Sequence, residues 1–223
     1  MRSALLFWDV DTLNDFIWPD GKLYVPGSEE IVPILARLTE FAHQHRIPIL
    51  ASADNHDLSD PEISSTPDWK TTFPPHCMRG TRGQLKIAET TLQDPMVIDP
   101  EPREKKAFTR EVLAHPGDFL VRKHSLDVFS NPNTVTLVEA LDPDAIVVYG
   151  VATDFCVKWA IEGLLARLPG KRIYLVTDSI RSIYPDEGDQ LLAGWQKAGA
   201  QLISSYRILN QHALDSYLST RTV

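Results

Sequence analysis

Cysteine is scarce in this chain, because the 223 residues include only Cys77 and Cys156. Two cysteines do not make the disulfide framework of a small secreted protein. The chain also lacks any apolar run near the ~18 residues that a membrane-spanning helix requires. Its first apolar stretch, Ala4–Trp8, stops at Asp9 and is too short for the core of a signal peptide. We therefore expect a cytoplasmic protein with reduced thiols.

Basic residues are in the minority: 22 Lys and Arg face 30 Asp and Glu, which leaves a formal net charge of −8. This balance argues against a partner held through phosphate groups, whether a nucleic acid or an anionic membrane surface. Of the residues, 43% are hydrophobic. A chain of this length buries about 70% of its unfolded surface and needs no disulfide or metal to fold. We predict a single domain over residues 1–223.

What the sequence does contain is an alternation of short apolar runs and amphipathic segments. Runs that are apolar throughout indicate parallel strands buried on both faces, and the 3.6-residue periodicity between them indicates covering helices. We predict an α/β fold of three layers: a doubly wound, mainly parallel sheet of about six strands with helices on both faces. The predicted strands are Ala4–Val10, Ile47–Ala53, Phe119–Lys123, Ala145–Tyr149, Arg172–Val176 and Gln201–Ser204. The predicted helices are Ser28–His45, Asn133–Leu141, Asp154–Leu168 and Asp186–Ala198.

Residues 58–102 interrupt this alternation. They hold seven of the sixteen prolines and few periodic apolar positions. An irregular segment of this length inside a compact domain is typical of a functional loop, although a solvated insertion is the alternative. We predict that this Pro-rich insertion contributes to a metal site and covers it as a lid.

Reactive side chains follow several of the predicted strands. Asp11 follows the first strand, and Asp54 and His56 follow the second. Lys123 ends the third, and Cys156 follows the fourth. The carboxyl ends of parallel strands lie along one edge of the sheet, where ligands bind in such folds. We therefore expect a carboxylate, a carboxylate–imidazole pair, an ammonium group and a thiol to converge there.

Cys156 is the candidate nucleophile. With Thr153 as the N-cap, it falls in the first turn of a helix, where free backbone N–H groups and the helix dipole lower the thiol pKa. Lys123 adds positive charge beside the sulfur, and Asp11 can accept its proton and return it to a leaving group. Backbone N–H groups near Ala152 and Cys156 can bind the oxygen of an attacked carbonyl. The alternative is a buried cysteine that acts only as a small hydrophobic residue.

Asp54 and His56 are two positions apart and can bind one metal ion. His76, stiffened by the prolines before it, is a candidate third ligand, and Glu62 is a candidate fourth. Two histidines with carboxylates and water suit a divalent metal. The ligand set suits zinc, iron or manganese and does not decide between them; zinc is the metal that we expect first. We expect Cys77, beside His76, to be packed rather than a ligand.

Four aromatic residues flank the candidate reactive residues: Phe16, Trp69, Phe73 and Phe155. Aromatic side chains supply large, rigid apolar surfaces that suit a flat ring. We predict that these four form the walls of a substrate pocket. Ordinary packing in the core or in the lid is the alternative for some of them.

The order and spacing of these segments resemble the nicotinamidase branch of the isochorismatase-like cysteine hydrolases, over most of the chain. The most specific match is Gly150–Val157, which reads Gly-Val-Ala-Thr-Asp-Phe-Cys-Val. The other matching segments are Phe7–Asp11, Asn14–Phe16, Asp54–His56, Phe73–Cys77 and Val121–Lys123. The resemblance implies a catalytic triad whose aspartate, lysine and cysteine correspond to Asp11, Lys123 and Cys156.

The resemblance further implies a metal bound by Asp54, His56 and His76. In nicotinamidases this metal holds the pyridine nitrogen of the substrate and a water molecule. The resemblance also implies a cis peptide bond between Val151 and Ala152. The expected reaction is hydrolysis of a small aromatic carboxamide such as nicotinamide to the acid and ammonia, through a cysteine thioester, as part of NAD metabolism.

The chain departs from the pattern of this family near the pocket. Ile17–Gly21 stands where a glycine pair is usual, Asn55 stands where an aromatic residue is frequent, and the insertion is long. A related hydrolase acting on another small amide or ureide is therefore an alternative, as is a catalytically silent binding domain on the same fold. We expect a small-molecule amide as partner, no nucleic acid or membrane, and a homo-oligomer.

Overall fold

A computed structural model describes residues 3–218, and within them seven strands form one sheet in which the paired strands run parallel. The strands are β1 (Leu5–Val10), β2 (Ile49–Asp54), β3 (Met96–Ile98), β4 (Phe119–Lys123), β5 (Ala145–Val151), β6 (Arg172–Arg181) and β7 (Gln201–Ile203). Their order across the sheet is β3-β4-β2-β1-β5-β6-β7. The predicted α/β fold is confirmed, with seven strands rather than about six.

Helices cover both faces of this sheet. They are α1 (Asn14–Ile17), α2 (Val32–Gln44), α3 (Lys105–Ala114), α4 (Thr134–Leu141), α5 (Cys156–Arg167), α6 (Pro185–Lys197) and α7 (Ser205–Leu209). Helices α3 to α6 pack on one face, and α2 and α7 pack on the other, which gives the predicted three layers. No helix in the described range 3–218 is both long and apolar enough to cross a bilayer.

The central strand β1 is apolar on both sides because each side faces a separate core. Leu6, Trp8 and Val10 pack in the core beneath α3 to α6. Leu5 and Phe7 pack in the core beneath α2 and α7. A strand buried on both faces has no polar alternation, so Leu5–Trp8 is apolar throughout, and Asp9 is the one charged residue of β1.

Two elements that the sequence did not predict contain few apolar residues. Strand β3 lies inside the Pro-rich insertion, follows Pro95, and has only Ile98 fully buried. Helix α3 buries only Phe108 and Val112. It begins where the Glu104 carboxylate accepts two backbone N–H groups of the first turn, which is a normal capping arrangement. A short edge strand and a helix with a narrow apolar stripe give little periodic signal.

The end of β5 requires Gly150. Its φ is 120°, and a Cβ at this position would collide with the backbone oxygen of Val10. Only glycine allows this conformation and this close approach of β5 to β1. The pairing of β5 with β6 shifts register between Val148 and Gly150 and then continues to Val151 and Arg181. Strand β6 is therefore longer than predicted. The register brings the chain after β5 next to the end of β1.

Lys86 anchors the insertion to the first strand. Its Nζ lies 2.7 Å from Asp9 Oδ2 and 2.7 Å from Thr12 Oγ1. The Thr12 and Thr90 hydroxyls are 2.8 Å apart. The side chain of Lys86 is 10% exposed and that of Asp9 is 1% exposed. Loss of either partner of a buried ion pair destabilises the fold, because the other charge stays buried without compensation. This pair therefore holds the insertion against the strand that leads to Asp11.

Lys86→Met is therefore expected to lower the free energy of unfolding by about 3–5 kcal/mol, because it leaves the Asp9 carboxylate buried without its partner. Asp9→Val combined with Lys86→Met removes both charges and should recover most of this loss. Urea unfolding of the two variants measures the difference. Arg82→Met is the matched control, since the Arg82–Asp20 pair is more than two-thirds exposed and should contribute at most about 1 kcal/mol. A double variant as unstable as Lys86→Met would contradict this role.

Candidate active site

The ammonium group of Lys123 lies among three reactive side chains. Its Nζ is 2.9 Å from Asp11 Oδ2 and 3.5 Å from Cys156 Sγ, and it also donates to Asp54 Oδ1. Lys123 and Asp11 are fully buried, Asp54 is 1% exposed and Cys156 is 6% exposed. The structure thus brings together the acid, amine and thiol that were expected at the ends of the strands.

The register of the sheet places these groups. Strands β2 and β4 are neighbours in which Asp54 is paired with Lys123. Asp11 follows the last residue of β1 with a φ of 50°, a left-handed conformation that is uncommon for residues other than glycine. Ser52 of β2 donates a hydrogen bond to Asp11 Oδ1 at 2.6 Å. One oxygen of Asp11 is therefore held by Ser52, while the other faces Lys123.

Charge pairing keeps the buried lysine and Asp54 ionised. Burial alone would lower the pKa of Lys123, but the carboxylates of Asp11 and Asp54 hold this pKa well above its usual value. Burial alone would raise the pKa of Asp54, but Lys123 and the imidazoles of His56 and His76 hold this pKa well below its usual value. At neutral pH the site therefore contains a lysine ammonium group next to the Asp54 carboxylate.

The prediction of a lowered thiol pKa for Cys156 is wrong. Burial raises the pKa of the Cys156 thiol well above its usual value; Lys123 opposes this rise only in part, and Asp11 and Asp54 add to it. The helix dipole does not outweigh burial beside two carboxylates. The Cys156 thiol therefore holds its proton at neutral pH, and a carboxylate oxygen of Asp11 lies within 4.8 Å of Sγ as a candidate acceptor.

Helix α5 begins at Cys156 itself, and Phe155 rather than Thr153 occupies the N-cap position. The Thr153 N–H donates instead to a carbonyl oxygen of β6 at 2.8 Å. Within residues 3–218 no protein acceptor is hydrogen-bonded to the backbone N–H of Ala152 or of Cys156. The expected cis peptide bond between Val151 and Ala152 is present. Two free N–H donors thus lie next to the thiol.

A second cluster, next to Lys123, consists of Asp54, His56, Glu62 and His76, all of them buried. The Nε2 atoms of His56 and His76 lie 3.8 and 3.7 Å from Asp54 Oδ2, and 3.9 and 3.8 Å from Glu62 Oε1. These separations are a few tenths of an ångström longer than the ~3.4 Å edges of a tetrahedral zinc site with bonds of ~2.1 Å. The structure brings together all four candidate ligands, Glu62 included.

The donor atoms of this cluster fit a divalent metal. Among the described residues, Asp54 Oδ2, His56 Nε2 and Glu62 Oε1 are buried without a hydrogen-bond partner. His76 Nδ1 lies 2.8 Å from the carbonyl oxygen of Pro74, so Nδ1 carries the proton and Nε2 directs its lone pair to the cluster. Burial and the charge of Asp54 raise the pKa of Glu62 to about 7. Buried acceptors that face one another are stabilised by a cation.

Backbone pairing aligns the two histidines. The His56 N–H donates to the Cys77 carbonyl at 3.2 Å, and the Arg79 N–H donates to the His56 carbonyl at 2.8 Å. Asp15 Oδ2 accepts the Cys77 N–H at 2.7 Å and so ties the segment of His76 to helix α1. The Cys77 side chain is fully buried and is not among the clustered donor atoms, which agrees with the expectation of a packed thiol.

A narrow cavity of about 20 Å³ lies beside Cys156. Three of the four predicted aromatic residues line it, namely Phe16, Phe73 and Phe155, and the rings of Phe73 and Phe155 meet edge to face at 5.6 Å. Aliphatic residues that the sequence did not indicate complete the walls: Leu23, Val25, Leu126 and Ile183. This volume is far below the ~300–1,000 Å³ typical of small-molecule sites, so the walls must move apart to admit a substrate ring. An apolar cleft with a thiol in its lining suits a small ring that carries one polar group.

Trp69 is not part of this cavity, which corrects the prediction that it walls the pocket. Its side chain is 52% exposed. The Asp68 carboxylate accepts the backbone N–H groups of Lys70, Thr71 and Thr72 and so forms a tight turn. Trp69 has a φ of 61° in this turn. The turn places the indole at the surface, which spacing along the sequence does not reveal.

Asp154 holds a segment that closes one side of the cavity. The sequence predicted Asp154 only as the start of a helix and did not indicate this role. Its carboxylate oxygens accept the backbone N–H of Ile183 at 3.0 Å and of Tyr184 at 2.6 Å. Ile183 lines the cavity, and the Tyr184 ring lies 6.4 Å from the ring of Phe155. A carboxylate two residues before the candidate nucleophile was the only signal for this role.

Asp154→Ala should lower the free energy of unfolding by about 2–3 kcal/mol, because two backbone N–H groups lose a charged acceptor. Amide hydrogen exchange at Ile183 and Tyr184 should become faster than in the unchanged protein. Asp186→Ala is the matched control, since Asp186 is an exposed carboxylate in the same region. Equal exchange rates at these two amides in both variants would contradict the clamping role.

Comparison with known proteins places this geometry in a family context. The isochorismatase domain profile matches residues 3–206. The nicotinamidase of Acinetobacter baylyi is 26% identical over 215 residues, which cover 90% of this chain and 92% of that protein. The nicotinamidase/pyrazinamidase of Mycobacterium tuberculosis is 25% identical over 208 residues, which cover 92% of this chain and 100% of that protein. The pyrazinamidase of Pyrococcus horikoshii, solved in complex with zinc, superimposes with a TM-score of 0.69 at 18% identity over 90% of this chain and 99% of that one.

Proposed function

The chain belongs to the isochorismatase family, and from that premise we propose that it is an amidohydrolase that converts nicotinamide, or a closely similar small aromatic carboxamide, to the acid and ammonia. One observation carries the proposal: the Cys156 thiol lies 3.5 Å from the Lys123 ammonium, in the lining of an apolar cavity. Similarity to nicotinamidases over at least 90% of the chain supports a carboxamide as the substrate.

Asp11 acts as the base in the first step. Because burial keeps the thiol protonated, Asp11 takes the proton of Cys156 as the sulfur attacks the carbonyl carbon. The carbon–sulfur bond forms, and the electron pair of the carbonyl bond moves to oxygen. The free N–H groups of Ala152 and Cys156 donate to this oxygen, a contribution of about 3–4 kcal/mol in comparable sites. Lys123 remains an ammonium group and stabilises the negative charge on the sulfur and on Asp54.

The remaining steps return every group to its starting state. Asp11 gives its proton to the leaving nitrogen as the carbon–nitrogen bond breaks, and ammonia leaves. A water molecule then attacks the thioester while Asp11 accepts one of its protons. The carbon–sulfur bond breaks, Cys156 recovers its proton, and the acid is released.

Asp54, His56, Glu62 and His76 are the residues that would hold a divalent cation. Zinc is preferred, since a structure with this fold has been solved with zinc, and iron or manganese also suit the two imidazoles and two carboxylates. When bound, the cation would supply positive charge that attracts a ring nitrogen of the substrate and a water molecule. The apolar walls of the cavity then orient the ring so that its carboxamide reaches Cys156.

Three broader expectations accompany this proposal. The chain acts as a single domain over residues 1–223, with a metal-site and lid insertion at about 58–102. It works in the cytoplasm in NAD metabolism and assembles as a homo-oligomer. Each of these stays a prediction.

Cys156→Ala and Cys156→Ser should each reduce ammonia release from nicotinamide by at least about 1,000-fold, because loss of the nucleophile removes the covalent route. Cys77→Ala is the matched control, since Cys77 is buried outside the donor cluster and the cavity. Ammonia yield over time measures both. Turnover in Cys156→Ala close to that of Cys77→Ala would disprove the mechanism.

Removal of metal by a chelator should lower both the activity and the melting temperature, and added zinc, iron(II) or manganese should restore them. A cation at 100 times its dissociation constant stabilises the folded state by about 2.7 kcal/mol. Differential scanning calorimetry with and without each metal measures the shift. His76→Gln should abolish the shift, whereas His115→Gln, far from the donor cluster in sequence, should retain it. A melting temperature of the unchanged protein that does not respond to any of the three metals would refute metal binding.

A further inference from the structure

We propose that Asp60 and His124 form an outer layer of the metal site that fixes the orientation of His56. The inference rests on the metal site of the proposed function and goes beyond it, because neither residue belongs to the four candidate ligands. Residues that hold a metal-binding histidine from behind set its ring angle and its tautomer, and they change metal affinity without touching the metal.

The Asp60 carboxylate connects two imidazoles. Its Oδ2 lies 3.2 Å from His56 Nδ1 and accepts the Asp57 N–H at 2.9 Å. Its Oδ1 lies 3.3 Å from His124 Nδ1. The Asp60 side chain is 12% exposed, whereas the Asp57 side chain is 51% exposed and pairs with Arg79 instead. Asp60 is thus turned inward, whereas Asp57 is turned outward.

This contact determines which nitrogen of His56 faces the metal cluster. A carboxylate accepts hydrogen bonds, so His56 Nδ1 carries the proton that it donates to Asp60. The Nε2 atom then presents its lone pair to Asp54 Oδ2 and Glu62 Oε1, which lie 3.8 and 3.9 Å away. Without Asp60, nothing described in residues 3–218 accepts the Nδ1 proton.

His124 secures Asp60 from the opposite side and links it to the strand of the catalytic lysine. It follows Lys123 directly, and its side chain is 32% exposed. The backbone of this junction is also joined to the metal loop, since the Asn55 N–H donates to the Lys123 carbonyl at 3.0 Å. The ends of β2 and β4 are therefore connected through Asp60 as well as through the Lys123–Asp54 pair.

Cobalt(II) binding provides the test, with visible absorption as the readout and full-length protein freed of metal as the starting material. Asp60→Asn should weaken cobalt binding by about 10–100-fold, the usual effect of removing a group that supports a metal-binding histidine. His124→Gln should weaken it less, by about 2–10-fold, because it acts through Asp60. Asp57→Asn removes the same charge from the same loop and should stay within about twofold of the unchanged protein, as expected for an exposed carboxylate.

Proton NMR of the zinc-loaded protein supplies a readout that general destabilisation would not mimic. The His56 Nδ1–H should give a slowly exchanging imidazole signal in the unchanged protein and in Asp57→Asn, and this signal should broaden or vanish in Asp60→Asn. Cobalt affinities of Asp60→Asn and His124→Gln within twofold of the unchanged protein would overturn the inference. Failure of the unchanged protein to bind cobalt would instead overturn the metal site of the proposed function.

Discussion

One buried ammonium group holds the site together. Lys123 lies between Asp11, which follows β1, and Asp54, which ends β2, with Cys156 at the start of α5 as its third neighbour. Moving a charge out of water is costly, so such a lysine persists only where several groups share its charge. The parallel register of β2 and β4, and Gly150 at the end of β5, create that arrangement. Sheet geometry thus determines the chemistry at its edge.

Asp54 joins the two halves of the site, since one oxygen faces Lys123 and the other faces His56 and His76. A cation bound in the histidine cluster would therefore share this carboxylate with the lysine ammonium group. Burial raises the pKa of the Cys156 thiol, so the thiol holds its proton and needs a base within reach. In the proposed mechanism the thiol is activated during attack rather than beforehand, which distinguishes this site from one that depends on a helix dipole.

The sequence was informative where position along a strand determines position in space. Asp11 and Lys123 could be predicted as neighbours because the ends of parallel strands share one edge. The raised pKa of Cys156 could not be predicted, because the direction of the pKa shift depends on burial and on two carboxylates from other strands. Trp69 was misplaced because an Asp-centred turn directs it outward. Ile183 was missed because it follows β6. This strand continues past its apolar run and past a shift of register in its pairing with β5.

Trapping of the acyl-enzyme tests the central claim, covalent catalysis by a thiol held beside Asp11 and Lys123, most directly. Hydroxylamine added during turnover should divert the thioester to the hydroxamate. Because an amide and an ester of the same acid would pass through one thioester on Cys156, nicotinamide and methyl nicotinate should give the same ratio of hydroxamate to acid at each hydroxylamine concentration. Ratios that differ between the two substrates, or acid as the sole product from both, would contradict the account.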